Sequence, residues 1–61
     1  MNHYRCIVIE STGNYVPYSG LSFEAASHAL SLYGEVNTVL VQQKEYDGLG
    51  WRTIMGVWRH V

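Results

Sequence analysis

A few side chains of this sequence could act as a nucleophile or bind a metal. Their spacing does not predict that they form a catalytic or metal-binding site. Cys6 is the one cysteine among 61 residues and lies in an apolar run, which predicts a buried packing residue rather than a reactive thiol. His3, His28 and His60 lack the paired spacing of a zinc site, so we expect exposed side chains without a metal role. The sequence therefore predicts no catalytic, cofactor-binding or metal-binding residue, and we expect the protein not to be an enzyme.

Two further patterns suggest sites but have simpler interpretations. Glu24 and Glu35 stand at opposite ends of a predicted helix, too far apart to work as a paired acid and base. Gly48-Leu49-Gly50 is short and no helix follows it, so it predicts a hairpin turn instead of a phosphate-binding loop. The remaining candidates are residues for binding a partner. Tryptophan and arginine side chains stand among apolar residues near the end of the sequence, a composition typical of protein interfaces.

Five predicted elements position these residues, and the first two are strands. Residues 4–10 are rich in β-branched side chains and apolar on both alternating faces, which predicts a central strand. A turn at residues 11–14 leads to a short strand at residues 15–18. Pro17 assigns that strand to a sheet edge because proline has no amide hydrogen to donate. Ser19-Gly20 is expected to end it.

The helix predicted next, residues 22–33, has a signal at each end. Ser22 is a favourable N-cap, and Gly34 follows the last helical residue. Apolar residues recur at intervals of three and four and form one stripe, while polar residues line the opposite side. The stripe consists of Phe23, Ala26, Ala29, Leu30 and Tyr33.

Two further strand-like runs, residues 36–44 and 50–60, can form a hairpin through a type I′ turn at Asp47-Gly48. In this register Lys44 faces Trp51. The residues below the helix would be Val39, Val41, Ile54, Gly56 and Trp58, with Gly56 allowing the helix to approach closely. Those facing outward would be Leu40, Trp51, Met55 and Val57. A register slipped by one residue would exchange the two sets, and a longer loop that uses Gly50 is an open alternative.

Together these elements predict an α+β fold of the order β-β-α-β-β, with a four-stranded, mainly antiparallel sheet and one helix on one face. The chain of 61 residues is expected to form a single domain, residues 1–61, with one thin core. Its formal net charge of −1 suits neither a basic stripe nor an acidic surface, so direct nucleic-acid binding is disfavoured. We expect no secretory signal and no membrane-spanning segment, and the single cysteine suits a reducing compartment such as the cytoplasm.

The predicted hairpin carries large apolar groups on both faces, whereas one helix can cover only one of them. We therefore expect the outward face to bind a partner protein or a second copy of the chain. The expected partner-binding residues are Leu40, Tyr46, Trp51, Arg52, Met55 and Val57. The alternatives are that loops or C-terminal residues cover this face, or that cross-strand aromatic side chains only stiffen the hairpin.

Short segments at the two ends of the helix resemble a family of phage proteins. Gly20-Leu21-Ser22 and Leu32-Tyr33-Gly34 are similar to the corresponding segments of the small uracil-DNA glycosylase inhibitors of phi29-like phages, which are dimeric, acidic DNA mimics. The strand order and the tryptophan-containing last hairpin resemble those of some type I anti-CRISPR proteins.

These resemblances imply a non-catalytic inhibitor encoded by a phage or mobile element and acting in the cytoplasm of a bacterial host. Its target would be a host protein or ribonucleoprotein complex of defence or nucleic-acid processing. The alternatives are a homodimeric uracil-DNA glycosylase inhibitor and a small nucleic-acid-binding module.

Overall fold

The chain folds in the order β-β-α-β-β, as predicted. The computed structural model describes residues 3–46 and 48–59. Its elements are β1 (Tyr4–Ile9), β2 (Tyr15–Leu21), α1 (Phe23–Tyr33), β3 (Thr38–Lys44) and β4 (Trp51–Val57). The strands form one antiparallel sheet in the order β2-β1-β3-β4, with α1 on one side, so the α+β class is confirmed. The radius of gyration is 11.1 Å.

Helix α1 begins and ends at the predicted residues. The Ser22 hydroxyl accepts a hydrogen bond from the amide of Ala25 at 3.1 Å, and the Gly34 amide donates to the Leu30 carbonyl at 2.9 Å. Gly34 has a right-handed φ of −72°, so a left-handed conformation is not what requires glycine here. A Cβ at this position would meet the Leu30 carbonyl oxygen and lie 2.7 Å from Cγ1 of Val57. The glycine therefore allows the end of α1 to approach β4.

Strand β2 lies at the sheet edge, in agreement with the position of Pro17. It does not end at Ser19-Gly20 as predicted, but continues to Leu21. The pairing of β1 with β2 shifts between Tyr4 and Cys6, and Gly20 has a φ of 70°. An irregular pairing of this kind lets the edge strand pass the glycine and lead directly into the helix cap.

The core lies between α1 and one face of the sheet. Cys6, Val8 and Val39 form its buried cluster, and Ala29 and Leu30 of α1 pack against it. Two aromatic pairs flank this cluster at the two ends of the helix. Tyr4 contacts Phe23 edge-on with ring centroids 5.5 Å apart, and Tyr18 stacks on Tyr33 at 5.7 Å. The predicted burial of Cys6 is confirmed.

A β-bulge in the last hairpin changes which residues of β4 face the helix. The predicted pairs Lys44–Trp51, Gln43–Arg52 and Gln42–Thr53 are present, but Val41 pairs with Met55 because Ile54 is an additional residue. Val41 and Val39 are fully buried, and their partners Met55 and Val57 lie on the same face as they do. The prediction that Met55 and Val57 face outward is therefore wrong.

The same bulge corrects the predicted positions of Gly56 and Trp58. Gly56 pairs with Leu40 on the face opposite the helix, where a Cβ would lie 2.8 Å from the Val39 carbonyl oxygen and 3.0 Å from Cδ2 of Leu40. Gly56 thus leaves room for the Leu40 side chain and not for the helix. Trp58 follows β4 and is 70% exposed, so it does not lie below α1.

The loop of this hairpin is longer than a two-residue turn. The Gly48 amide donates to the Glu45 carbonyl, and the Glu45 amide donates to the Gly50 carbonyl, both at 2.9 Å. Gly48, with a φ of 75°, is therefore the fourth residue of the turn rather than one of its central pair. Asp47 lies outside the described residues, as does His60.

Candidate binding surface

In the part of the chain that the structure describes, no helix lies over the face of the sheet opposite α1, and we call this face the open face. Side chains alternate between the two faces of a strand, so the pairing register assigns its members. Ile7 pairs with Pro17 on one side and with Leu40 on the other, and Leu40 pairs with Gly56. The members of the open face are Arg5, Ile7, Ile9, Tyr15, Pro17, Thr38, Leu40, Gln42, Lys44, Trp51, Thr53 and Gly56.

The middle of the open face is apolar. Ile7, Ile9 and Leu40 are half-buried by their neighbours within the sheet, and Tyr15 beside Ile9 is 70% exposed. At one end, the segment after β4 closes on this face, where the Arg59 amide donates to the hydroxyl of buried Thr38 at 2.9 Å. Ile7, Ile9 and Leu40 belong to the two central strands, β1 and β3, and not to loops. The sheet therefore fixes the shape of this apolar surface.

A row of side-chain hydrogen bonds crosses β1, β3 and β4 next to this apolar centre. Nε of Arg5 donates to Oε1 of Gln42 at 2.7 Å, and Nε2 of Gln42 donates to the Thr53 hydroxyl at 3.0 Å. These residues are direct neighbours in the register, Arg5 opposite Gln42 and Gln42 opposite Thr53. The amide of Gln42 is therefore oriented from both sides.

Two cations lie against the ring of Trp51 at the same end of the open face. The guanidinium carbon of Arg5 is 4.1 Å from the ring centroid, and Nζ of Lys44 is 5.1 Å from it. Both distances are within the range of cation–π attraction. Trp51 is consequently a half-buried support for two positive charges and not an isolated exposed ring.

Charge is divided unevenly between the strands and the rest of the chain. No aspartate or glutamate occurs in any of the four strands, whereas Arg5, Lys44 and Arg52 do. The glutamates lie on the helix and the connections, at Glu10, Glu24, Glu35 and Glu45. The formal net charge of −1 therefore conceals a positive end of the open face.

The structure separates the six residues predicted to bind a partner. Leu40 and Trp51 lie on the open face, whereas Met55 and Val57 lie on the helix side, where Val57 packs against the core. Arg52 and Tyr46 line a concavity of about 530 Å³ at the tip of the hairpin, together with His3 and with Lys44, which it shares with the open face. Nη2 of Arg52 lies 3.4 Å from Oε1 of Gln43.

Sequence reasoning missed several members of the open face, above all Arg5, Ile7 and Gln42. The signal was present in β1, because Arg5, Ile7 and Ile9 occupy alternate positions of a single strand. Only the strand order brings them beside Trp51, since β3 lies between β1 and β4.

Two titratable groups on the helix side have shifted pKa values. Burial raises the pKa of the Cys6 thiol. Desolvation is the larger cause that raises the pKa of Tyr18, and the neighbouring Tyr33 raises it further.

Within residues 3–46 and 48–59, no three side chains of His, Cys, Asp or Glu are grouped to hold a metal ion. Over the same residues, no helix has the length and apolar character needed to cross a membrane.

Comparison of the chain with protein-family models, with curated proteins and with solved structures gives no match.

Proposed function

We propose that this chain is a non-catalytic protein that binds a protein partner on the open face of its sheet. The supporting observation is the composition of that face, with an apolar centre beside Arg5 and Lys44 and no carboxylate in any strand. Centres of protein interfaces combine apolar, aromatic and arginine side chains in this way. A partner surface with apolar and acidic residues complements it.

The size of the open face suits the centre of an interface. Four strands span about 14 Å across, and strands of six or seven residues are about 20 Å long. The resulting flat area, on the order of 300 Å², is smaller than the ~800 Å² that each partner contributes to a standard interface. Tyr15, Tyr46 and Trp58, all exposed, would supply part of the rim.

The target class that we propose rests on the resemblances of the two helix ends and of the strand order to phage inhibitors. We propose a phage or mobile-element inhibitor, of the anti-CRISPR type, that acts in the bacterial cytoplasm on a defence or nucleic-acid-processing complex. Small size and a rigid sheet face support this role, because binding through a preformed surface avoids the entropic cost of ordering loops.

The test is phage plating on cells with active type I CRISPR interference. Cells that express the chain should regain plaques of the targeted phage, and an Ile7→Thr/Leu40→Thr variant should not, because it removes the apolar centre. Leu32→Thr is the matched control, since Leu32 is 57% exposed on the helix, away from the open face. Restored plaques with the open-face variant would contradict the assigned surface, and no plaques with the native chain would contradict the anti-CRISPR role.

A uracil-DNA glycosylase assay distinguishes the closest alternative. Inhibition of uracil excision by the purified chain would replace the CRISPR complex by the glycosylase as target. Sedimentation of the same protein tests the second copy as occupant. A dimer that dissociates in the Ile7→Thr/Leu40→Thr variant would mean that the open face binds itself.

Nucleic-acid binding is a second candidate because Arg5 and Lys44 surround Trp51 on a face without carboxylates. Single-stranded nucleic acids bind to surfaces of this composition through stacking and phosphate contacts. Affinity for an oligothymidylate that falls steeply with salt would favour this candidate.

A further inference from the structure

The guanidinium of Arg5 is held in two ways, at one edge by a hydrogen bond and on one face by an aromatic ring. Gln42 accepts from its Nε at 2.7 Å, and Trp51 supports its plane at 4.1 Å. Gln42 is itself fixed by its bond to Thr53 at 3.0 Å. An arginine held at one edge and on one face has already lost most of its rotamer freedom before a ligand arrives.

The far edge of the same guanidinium retains its donors. Arginine carries five N–H groups, and the bond to Gln42 uses the one on Nε. Among the residues that the structure describes, no acceptor is bonded to either terminal nitrogen of Arg5. Paired terminal donors in one plane match the two oxygens of a carboxylate.

The other cations are used differently. Nε of Arg59 donates to the Gly34 carbonyl at 2.6 Å and so completes the end of α1. Arg52 has a long contact of 3.4 Å with Gln43 and lies on the helix side of the sheet. Lys44 shares the Trp51 ring with Arg5 and adds a second positive charge to the same corner.

We propose that Arg5 is a recognition site for an aspartate or glutamate side chain of the partner, with Lys44 as the second charge. The proposal rests on the proposed function, and it specifies the chemistry of the partner. Ile7 follows two residues later on the same face, about 7 Å away along the strand. The segment that fits is therefore extended, with an acidic side chain and, two residues away on the same side, an apolar one.

A carboxylate fits this corner better than a nucleic acid does. The guanidinium of Arg5 already lies on the Trp51 ring, where a base would have to stack. Two cations in a chain with a net charge of −1 also give little long-range attraction for a polyanion. A single carboxylate needs one bidentate contact and no such field.

The test uses a blocked six-residue peptide, glutamate-threonine-valine-threonine-valine-threonine, and the same peptide with glutamine for glutamate. In the extended peptide the glutamate and both valines lie on one side, at the spacing of Arg5 and Ile7. Binding is followed by the NMR signals of the Arg5 Nε–H and the Trp51 indole N–H. The glutamate peptide should shift both signals saturably and the glutamine peptide should bind roughly tenfold more weakly, because charge-assisted bidentate bonds are lost.

Three variants distinguish a specific contact with Arg5 from a general effect of the protein's net charge on peptide binding. Arg5→Gln should weaken binding roughly tenfold, and Arg52→Gln, which changes the net charge equally, should leave it within about twofold. Gln42→Leu keeps both Arg5 and its charge but removes the acceptor of its Nε, and should weaken binding about threefold through lost positioning. Dispersed NMR spectra confirm that each variant folds.

Equal weakening by Arg5→Gln and Arg52→Gln would overturn the site, as would equal binding of the two peptides or the absence of any saturable shift. Tighter binding of an oligothymidylate than of the glutamate peptide would also overturn it and would favour a nucleic acid. Peptide binding without any plaque rescue would leave the site in place and remove the proposed inhibitor function. Plaque rescue that Arg5→Gln leaves unchanged would remove the site alone.

Discussion

The two faces of the sheet are built from alternate residues of the same strands, yet different forces organise them. On the helix side, Cys6 and Val39 are fully buried and pack against α1. On the open face, Ile7 is half-buried, and Arg5 and Gln42 are held by hydrogen bonds that run across the surface. One face is stabilised by burial, and the other presents an ordered surface. A substitution in a strand can therefore change the core or the open face separately, because successive residues point to opposite faces.

The largest expected effect tests the boundary between the faces in β4. Met55→Glu should lower the free energy of unfolding by about 2.5 kcal/mol, because the bulge places this half-buried side chain beside fully buried Val41, where a charge loses part of its hydration. Thr53→Glu, two residues earlier, should cost less than about 0.5 kcal/mol, since Thr53 is exposed on the open face. Urea unfolding measures both. Equal costs would contradict the observed register.

A smaller effect compares the two faces at central strands. Val39→Ala should cost about 2 kcal/mol, because it removes two buried carbon groups and leaves a cavity in the core. Ile7→Thr should cost about 1 kcal/mol, because Ile7 is only half-buried and threonine retains β-branching. The measurement is again urea unfolding. A greater loss from Ile7→Thr would mean that the open face also contributes a core.

The smallest effect is a dependence on pH that belongs to the helix side alone. Burial raises the pKa of Cys6 above the ordinary thiol value of 9.0, so the unfolded chain releases this proton at a lower pH than the folded chain. Its contribution to stability is complete below pH 9.0 and decreases as the pH rises toward the higher folded pKa. Unfolding of the native chain should become easier over this interval.

Cys6→Ala serves as the control because it removes the titrating thiol from the same buried position. Its stability should change less than that of the native chain between about pH 8 and about pH 9.5, before tyrosine ionisation begins. Identical slopes for the two proteins would show that the thiol is not buried as described.

The elements could be predicted from the sequence because their signals are local. Ser22 and Gly34 mark the ends of α1, and Pro17 marks the edge strand. The orientation of the side chains in β4 could not be predicted from the sequence. Ile54 is an additional residue in this strand, and the alternation of apolar and polar side chains does not reveal it. Arg5 was overlooked for a different reason. Its contact with Trp51 depends on β3 lying between β1 and β4, and no short segment encodes that order.

The additional residue at Ile54 makes the length of β4 as informative as its composition. Deleting one residue there would restore continuous alternation, turn Met55 and Val57 toward solvent and bring Gly56 below the helix. A one-residue deletion would thus change the residues on both the helix side and the open face, whereas substitutions at Trp51 or Thr53 leave the packing of the helix unchanged. A set of variants that is meant to change the open face alone should therefore vary Trp51 and Thr53 and keep the length of β4 constant.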